Sequence, residues 1–224
     1  MRHFVKLNYV NEFRIYCEQM SLRKLIFPSG TVHPLYAQYV GWSFLSNTLI
    51  SVETAVATHN MLYAMSSGSD TLRTVNYVGK DVIGQLGGLW FMSKMSYKAD
   101  KHPNRFLLYS NLIQQMAYMG ICATPMAPDY FLPIAGASNL LLNISFTGFG
   151  AINAKCIQGL SASNIGEAYA KISVVNTLGS SLGLLAGLGL TTLGADNGLF
   201  HLAVVSITGS LRIYSFNRAT KGLL

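Results

Sequence analysis

Few side chains in this sequence have a type and spacing that could do chemistry, and the most unusual of them is an acid. Glu53 lies near the middle of an otherwise apolar stretch, about Gln38 to Met65, with His59 a turn and a half later. A carboxylate inside an apolar helix is expensive and normally faces a partner or a cavity. Two readings stay open for it: a proton or ligand site, or a pair with Lys80, Lys155 or Lys171 that holds helices in register. A second cluster is the glycine-rich run VGKDVIGQLGG from Val78 to Gly88, which sets Lys80 and Asp81 side by side at its entrance. It lacks the G-x-x-x-x-G-K-[ST] order of a phosphate loop. Adjacent helical residues point about 100° apart, so Lys80 and Asp81 are expected to bind different partners. On a functional reading they grip an anionic head group or small ligand. On a structural one, Lys80 snorkels at a membrane boundary and Asp81 sits near a helix start. Glu53, Lys80 and Asp81 are thus the candidate ligand or lipid head-group residues.

Other chemistry is missing. There is no G-x-S-x-G elbow, zinc motif, dinucleotide fingerprint or spaced carboxylate pair. No catalytic residue, metal ligand or cofactor is therefore assigned, and the expectation is a protein that is not an enzyme. The five histidines form no H-x-x-x-H pair, and Cys17, Cys122 and Cys156 have neither metal-ligand nor redox spacing. Three further features read as packing. Gly179, Gly183 and Gly187 repeat every four residues on one helical face, which lets a second helix approach closely, from this chain or another subunit. Asn139 and Asn143 suit interhelical hydrogen bonds. Glu167 and Lys171 stand in the i, i+4 order that supports a helix surface.

The elements that must position these residues follow from composition and charge. The 224 residues are 50% hydrophobic and only 11% charged, where a soluble domain carries about 25% charge. Mean hydropathy is +0.34. Disorder is excluded, because it needs low hydrophobicity. The net charge of +7 lies between long uncharged runs, which fits positive flanks of spanning helices rather than a nucleic-acid surface. Residues 1–30 form a basic amphipathic segment, expected to be a helix on a membrane surface, and Phe27 to Gly30 breaks it. Residues 31–224 form one helical membrane domain.

Six apolar stretches follow, about 38–65, 77–93, 106–127, 131–154, 172–195 and 198–211. A bilayer core asks for about 20 residues of helix. The third, fourth and fifth meet this without any charge, the first meets it with a buried acid, and the second and sixth are marginal. Basic and non-basic loops alternate, so six crossings with both termini on the basic side satisfy the positive-inside rule. A four-span version leaves the second and sixth stretches in the interface. The fold class expected is all-α and polytopic, with four to six transmembrane helices.

The VGKDVIGQLGG segment resembles the Lys-Asp-Gly glycine-rich signature of the root UVB-sensitive family. Other pieces resemble that family in the same order: Pro28-Ser29-Gly30, Tyr39 to Trp42, Lys101 to Arg105 with Asn111, Asn164 with Glu167, Ala170, Lys171 and Ser173, then His201 and Phe216-Asn217-Arg218. The resemblance spans about residues 28 to 218. It implies a link to UV-B perception and vitamin B6 homoeostasis, in a family whose plant members associate with each other in plastids. Together these readings lead to a non-enzymatic accessory subunit of an organellar membrane assembly, mitochondrial inner membrane first and plastid second. Its expected partners are membrane lipids and other membrane-protein subunits, with no nucleic acid. The alternative is a transporter or small-ligand or lipid-binding protein for B6-type metabolites.

Overall fold

The computed structural model describes residues 25–29, 33–66, 69–95, 97–161, 164–194 and 197–224. Most of the expected amphipathic helix of residues 1–30 lies outside them, as do Cys17 and Asp196. Among the described residues the chain is all-helical, with no strand. Six long helices are α1 (Tyr36–Met65), α2 (Asp70–Met95), α4 (Pro103–Ala123), α5 (Phe131–Leu160), α6 (Ile165–Leu193) and α7 (Gly198–Thr220). A short helix α3 (Tyr97–Lys101) precedes α4, and two 3-10 turns (Thr124–Met126, Pro128–Tyr130) separate α4 from α5.

Local chemistry sets these boundaries. Pro103 opens α4, where its missing N–H leaves no bond unmade. Pro125 stands second in the first 3-10 turn and Pro128 starts the other. The Asn197 side chain accepts from the Phe200 amide at 3.0 Å, a cap that starts α7.

Helix α1 is the hub, packing mainly on α6 and α7, while α5 packs on α2 and α4. The Gly179, Gly183 and Gly187 stripe lies against α1 of the same chain. A Cβ on Gly179 would stand 2.8 Å from the Phe44 carbonyl oxygen, and one on Gly183 would strike the Thr48 carbonyl. As that contact runs from Phe44 at Gly179 to Ala55 at Gly187, α1 and α6 are parallel. Contacts of Gly79 with Leu132 and of Gly84 with Asn139 and Asn143 make α2 and α5 parallel too. Helices α4 and α5 are antiparallel, since Gly120 meets Ser138 and Gly148 meets Ser110. Pairing of Glu53 with Arg212 and of Asn60 with His201 makes α1 and α7 antiparallel.

Three helices are long and apolar enough to cross a membrane: α5 with the turn before it, α6 and α7. Two expectations need correction. The charge-free stretch from Phe106 to Ala127 passes on charge alone, yet α4 is not among the three. It carries Ser110, Asn111 and Gln114, all buried, and these uncharged polar side chains, the two amides above all, depress mean hydropathy as charges do. The stretch from Gly198 to Leu211 looks short, but its helix continues to Thr220 and reaches 23 residues. Leu178, Leu182, Leu185 and Leu188 on α6 are exposed, an apolar face turned away from the bundle.

The interior is layered. One apolar cluster gathers Tyr36, Tyr39, Phe106, Leu107, Ile152 and Phe216. A second gathers Val52, Val56, Ala117, Tyr118, Leu142 and Val205. Between them, on α1, α4, α5 and α7, lies a belt of buried polar side chains that includes Ser46, Glu53, Asn111, Gln114, Ser145 and Arg212.

Candidate functional site

The belt centres on an ion pair. Arg212 Nε donates to both Glu53 oxygens, at 3.2 and 3.1 Å, and both side chains are 0% exposed. Nη1 donates to Asn111 Oδ1 at 2.8 Å and Nη2 to Gln115 Oε1 at 3.3 Å. Gln115 is fixed in turn by donating to the Val205 carbonyl at 3.0 Å. The planar guanidinium thus spreads its donors over α1 and α4, and the carboxylate and cation neutralise each other where either alone would be costly. Glu53 is therefore paired, but with Arg212 and with none of Lys80, Lys155 or Lys171. Charge position hid this partner, because Arg212 reads as the first basic residue of the tail. The continuation of α7 past Leu211 brings it inside.

Lys80 and Asp81 pair with each other, Nζ to Oδ1 at 2.6 Å, which corrects the expectation of separate partners. The long lysine side chain bends back across the 100° between them and also lies 4.2 Å over the Tyr77 ring. Asn139 donates to the Lys80 carbonyl and to Asp81 Oδ1, both at 3.0 Å, so the expected interhelical bond from Asn139 is present. Asn143 instead donates within its own helix, to the Asn139 carbonyl at 2.9 Å. The glycines of this segment serve the same contact: a Cβ on Gly84 would come within 2.6 Å of the Asn139 amide. Among the described residues, Lys80 and Asp81 share no hydrogen-bond partner with Glu53. The three candidate residues therefore occupy two places, the pair on the α2–α5 seam and Glu53 in the polar belt.

Two recesses flank the belt along the α1–α7 seam. At the end where α1 and α6 finish, a cavity of about 700 Å3 is lined by residues including Asn60, Tyr63, Met126, Thr192, Asn197 and His201. His201 is 1% exposed. Its Nδ1 lies 3.2 Å from Asn60 Oδ1, while Asn60 Nδ2 donates to the Val56 carbonyl at 2.8 Å. Nδ1 is thereby the donor, and Nε2 has no hydrogen-bond partner among the described residues. On the other side of the belt, a cleft of about 190 Å3 opens between α1, α5, α6 and α7, with Asn47, Asn153 and Asn176 in its wall. Among the described residues no group of three or more His, Cys, Asp or Glu could hold a metal ion.

With this geometry in place, likeness to known proteins is informative. Residues 18–223 match the family model described as the vitamin B6 photo-protection and homoeostasis domain. The chain belongs to the root UVB-sensitive family. Among curated relatives, protein root UVB sensitive 4 of Arabidopsis thaliana is 26% identical over 182 residues, covering 79% of this chain and 35% of that protein. Root UVB sensitive 5 of the same plant is 27% identical over 75% of this chain and 36% of its own length. Root UVB sensitive 2, chloroplastic, is 22% identical over 88% and 47%. The chain therefore spans about a third to a half of the relatives it matches. No solved structure shows a significant match.

Some of the pieces that resemble the family meet in space, and others hold neighbouring helices. Ser29 donates to Glu167 through its amide at 3.1 Å and its hydroxyl at 2.6 Å. The Arg218 guanidinium lies 5.8 Å over the Trp42 ring. Asn111 holds Arg212, and the Lys80–Asp81 pair holds Asn139. In the root UVB-sensitive fold seen here, these motifs are the ties between helices distant in sequence.

Proposed function

We propose that this root UVB-sensitive chain is a membrane-embedded protein that binds a small polar metabolite and passes it across an organellar membrane without changing it chemically, in the service of vitamin B6 homoeostasis. The observation that carries this reading is the arrangement along the α1–α7 seam. A recess lies on either side of a sealed polar belt, and the Glu53–Arg212 pair bridges the helices between them. Ionisable residues at membrane depth mark polar pathways more often than they mark inert packing. All six long helices cross in this proposal. Their directions support it: with α5, α6 and α7 alternating, α1 runs parallel to α6, α2 parallel to α5 and α4 antiparallel to α5. Both ends and the two basic loops then share one face. The chloroplastic relative supports a plastid membrane and the basic first segment a mitochondrial one, and organelle fractionation distinguishes the two. The direct test is uptake of radiolabelled pyridoxine by liposomes containing the purified chain. Faster uptake than by protein-free liposomes is expected, and equal rates overturn the proposal.

A second reading, a packing subunit of a larger membrane assembly, is favoured by α2. Its outer face exposes Val75, Val78, Val82, Leu86 and Trp90, near-helical spacing on a helix that is not apolar enough to qualify as a span by itself. Solubilisation in mild detergent tests it: a particle much heavier than the chain with its micelle supports this reading, and a monomer removes it.

A further inference from the structure

The smaller cleft points to a ligand class. Three of its four helices supply one asparagine each: Asn47 from α1, Asn153 from α5 and Asn176 from α6. Each amide is half engaged. Tyr39 donates its hydroxyl to Asn153 Oδ1, and Ser43 Oγ donates to Asn176 Oδ1 at 3.0 Å. Asn47 Nδ2 donates to the Ser43 carbonyl at 2.9 Å. Among the described residues these bonds orient the side chains and leave over the amide donors of Asn153 and Asn176 and the acceptor oxygen of Asn47. The three asparagines are half-buried, and Asn176 lies eleven residues, roughly 16 Å, beyond the start of α6, so the cleft sits far from that end of the helix. Polar groups left over at that depth are expensive unless a partner meets them. Rings make up part of the remaining wall: Phe149 and Phe216 are tilted against each other with centroids 5.0 Å apart. No lysine, arginine or histidine lines the cleft among the described residues.

We infer that this cleft binds an uncharged, unphosphorylated single-ring molecule carrying hydrogen-bond acceptors, the ring against the phenylalanines and the acceptors on Asn153 and Asn176. The inference rests on the small-metabolite reading above and names its ligand. Phosphate is disfavoured on physical grounds: a dianion at that depth would meet no cation in the cleft wall, and a volume of about 190 Å3 lies below the ~300–1,000 Å3 of pockets for larger ligands. Within B6 chemistry the class is the free vitamer rather than its phosphate ester.

The experiment uses the full chain in lipid nanodiscs, with pyridoxine and pyridoxal 5′-phosphate as probes in equilibrium dialysis. Pyridoxine is expected to bind at least tenfold more tightly than the phosphate ester. Two variants locate the site. Asn176→Asp keeps an oxygen for Ser43 but replaces the free donor with a charge. Gly150→Leu fills the cleft: Gly150 lines it, and an added Cβ there meets nothing within 4 Å, so the helix keeps its packing. Both are expected to weaken pyridoxine binding at least tenfold, with the thermal midpoint of Gly150→Leu unchanged or raised. Equal or tighter binding of the phosphate ester overturns the ligand class. Pyridoxine binding untouched by either variant overturns the site and leaves the metabolite reading standing. No pyridoxine binding overturns the inference, and the liposome uptake assay then decides the fate of the broader reading separately.

Discussion

At the scale of residues, the Glu53–Arg212 pair decides most. Both groups are fully buried, so each is tolerable only because the other is present. Removing one partner of such a pair costs about 3–5 kcal/mol, whereas replacing both by apolar groups of similar volume is often neutral. Arg212→Met is therefore expected to destabilise the protein by about 3–5 kcal/mol, because Glu53 is left buried without its cation. The double variant Glu53→Leu with Arg212→Met is expected to recover part of that loss. The remainder belongs to Asn111 and Gln115, which lose the guanidinium and cost about 1–3 kcal/mol for each group left unsatisfied. Detergent-solubilised thermal unfolding of the two variants checks this. If the double variant is as unstable as the single one, coupling between the two charges is not what holds the belt. The acid was legible in the sequence as a residue needing a partner; which partner was not. That depends on where α7 ends, a matter settled by packing beyond the last apolar residue.

Among the elements, glycine spacing carried the most readable information. The four-residue repeat of Gly179, Gly183 and Gly187 marked a close helix approach before any partner was known, and the structure supplies α1 as that partner. The glycine-rich run after Lys80 was harder to read, because a phosphate loop, a head-group site and a packing face share its composition. Its role follows only from α5, whose Asn139 and Leu140 fill the space the glycines leave. Two substitutions on α6 separate packing from propensity. Gly183→Val drives its Cβ into the α1 backbone at Thr48, where no side chain can give way. It is expected to cost at least the ~1–3 kcal/mol typical of overpacking. Gly189→Ala, six residues along and with nothing within 4 Å of the added Cβ, is expected to gain about 0.5–1 kcal/mol of helix stability. Thermal midpoints of the two variants moving in the same direction would remove the glycine stripe as the basis of the α1–α6 contact.

For the whole molecule, the open quantity is how many helices cross. Apolarity by itself selects α5, α6 and α7, but mean hydropathy treats a polar side chain alike whether it faces lipid or the bundle interior. Helix α1 illustrates the difference. Ser43, Ser46, Glu53 and Asn60 are all buried, turned toward α4, α6 and α7 and away from any lipid. With these polar groups turned inside, a 30-residue helix is about 45 Å long at 1.5 Å per residue, more than enough for a core of about 30 Å. It also lies parallel to α6 along the glycine stripe, so wherever α6 crosses, α1 crosses beside it in the same direction. Cysteine labelling tests this with single cysteines at His33 and Ser66, just outside the two ends of α1, in a background with the native cysteines changed to serine. A membrane-impermeant maleimide applied to sealed vesicles is expected to label one position only, and to reach the other after permeabilisation. Labelling of both before permeabilisation places the two ends on one face. The α1–α7 seam could then not connect the two sides of a membrane, and the passage of a metabolite along it would fall with the crossing.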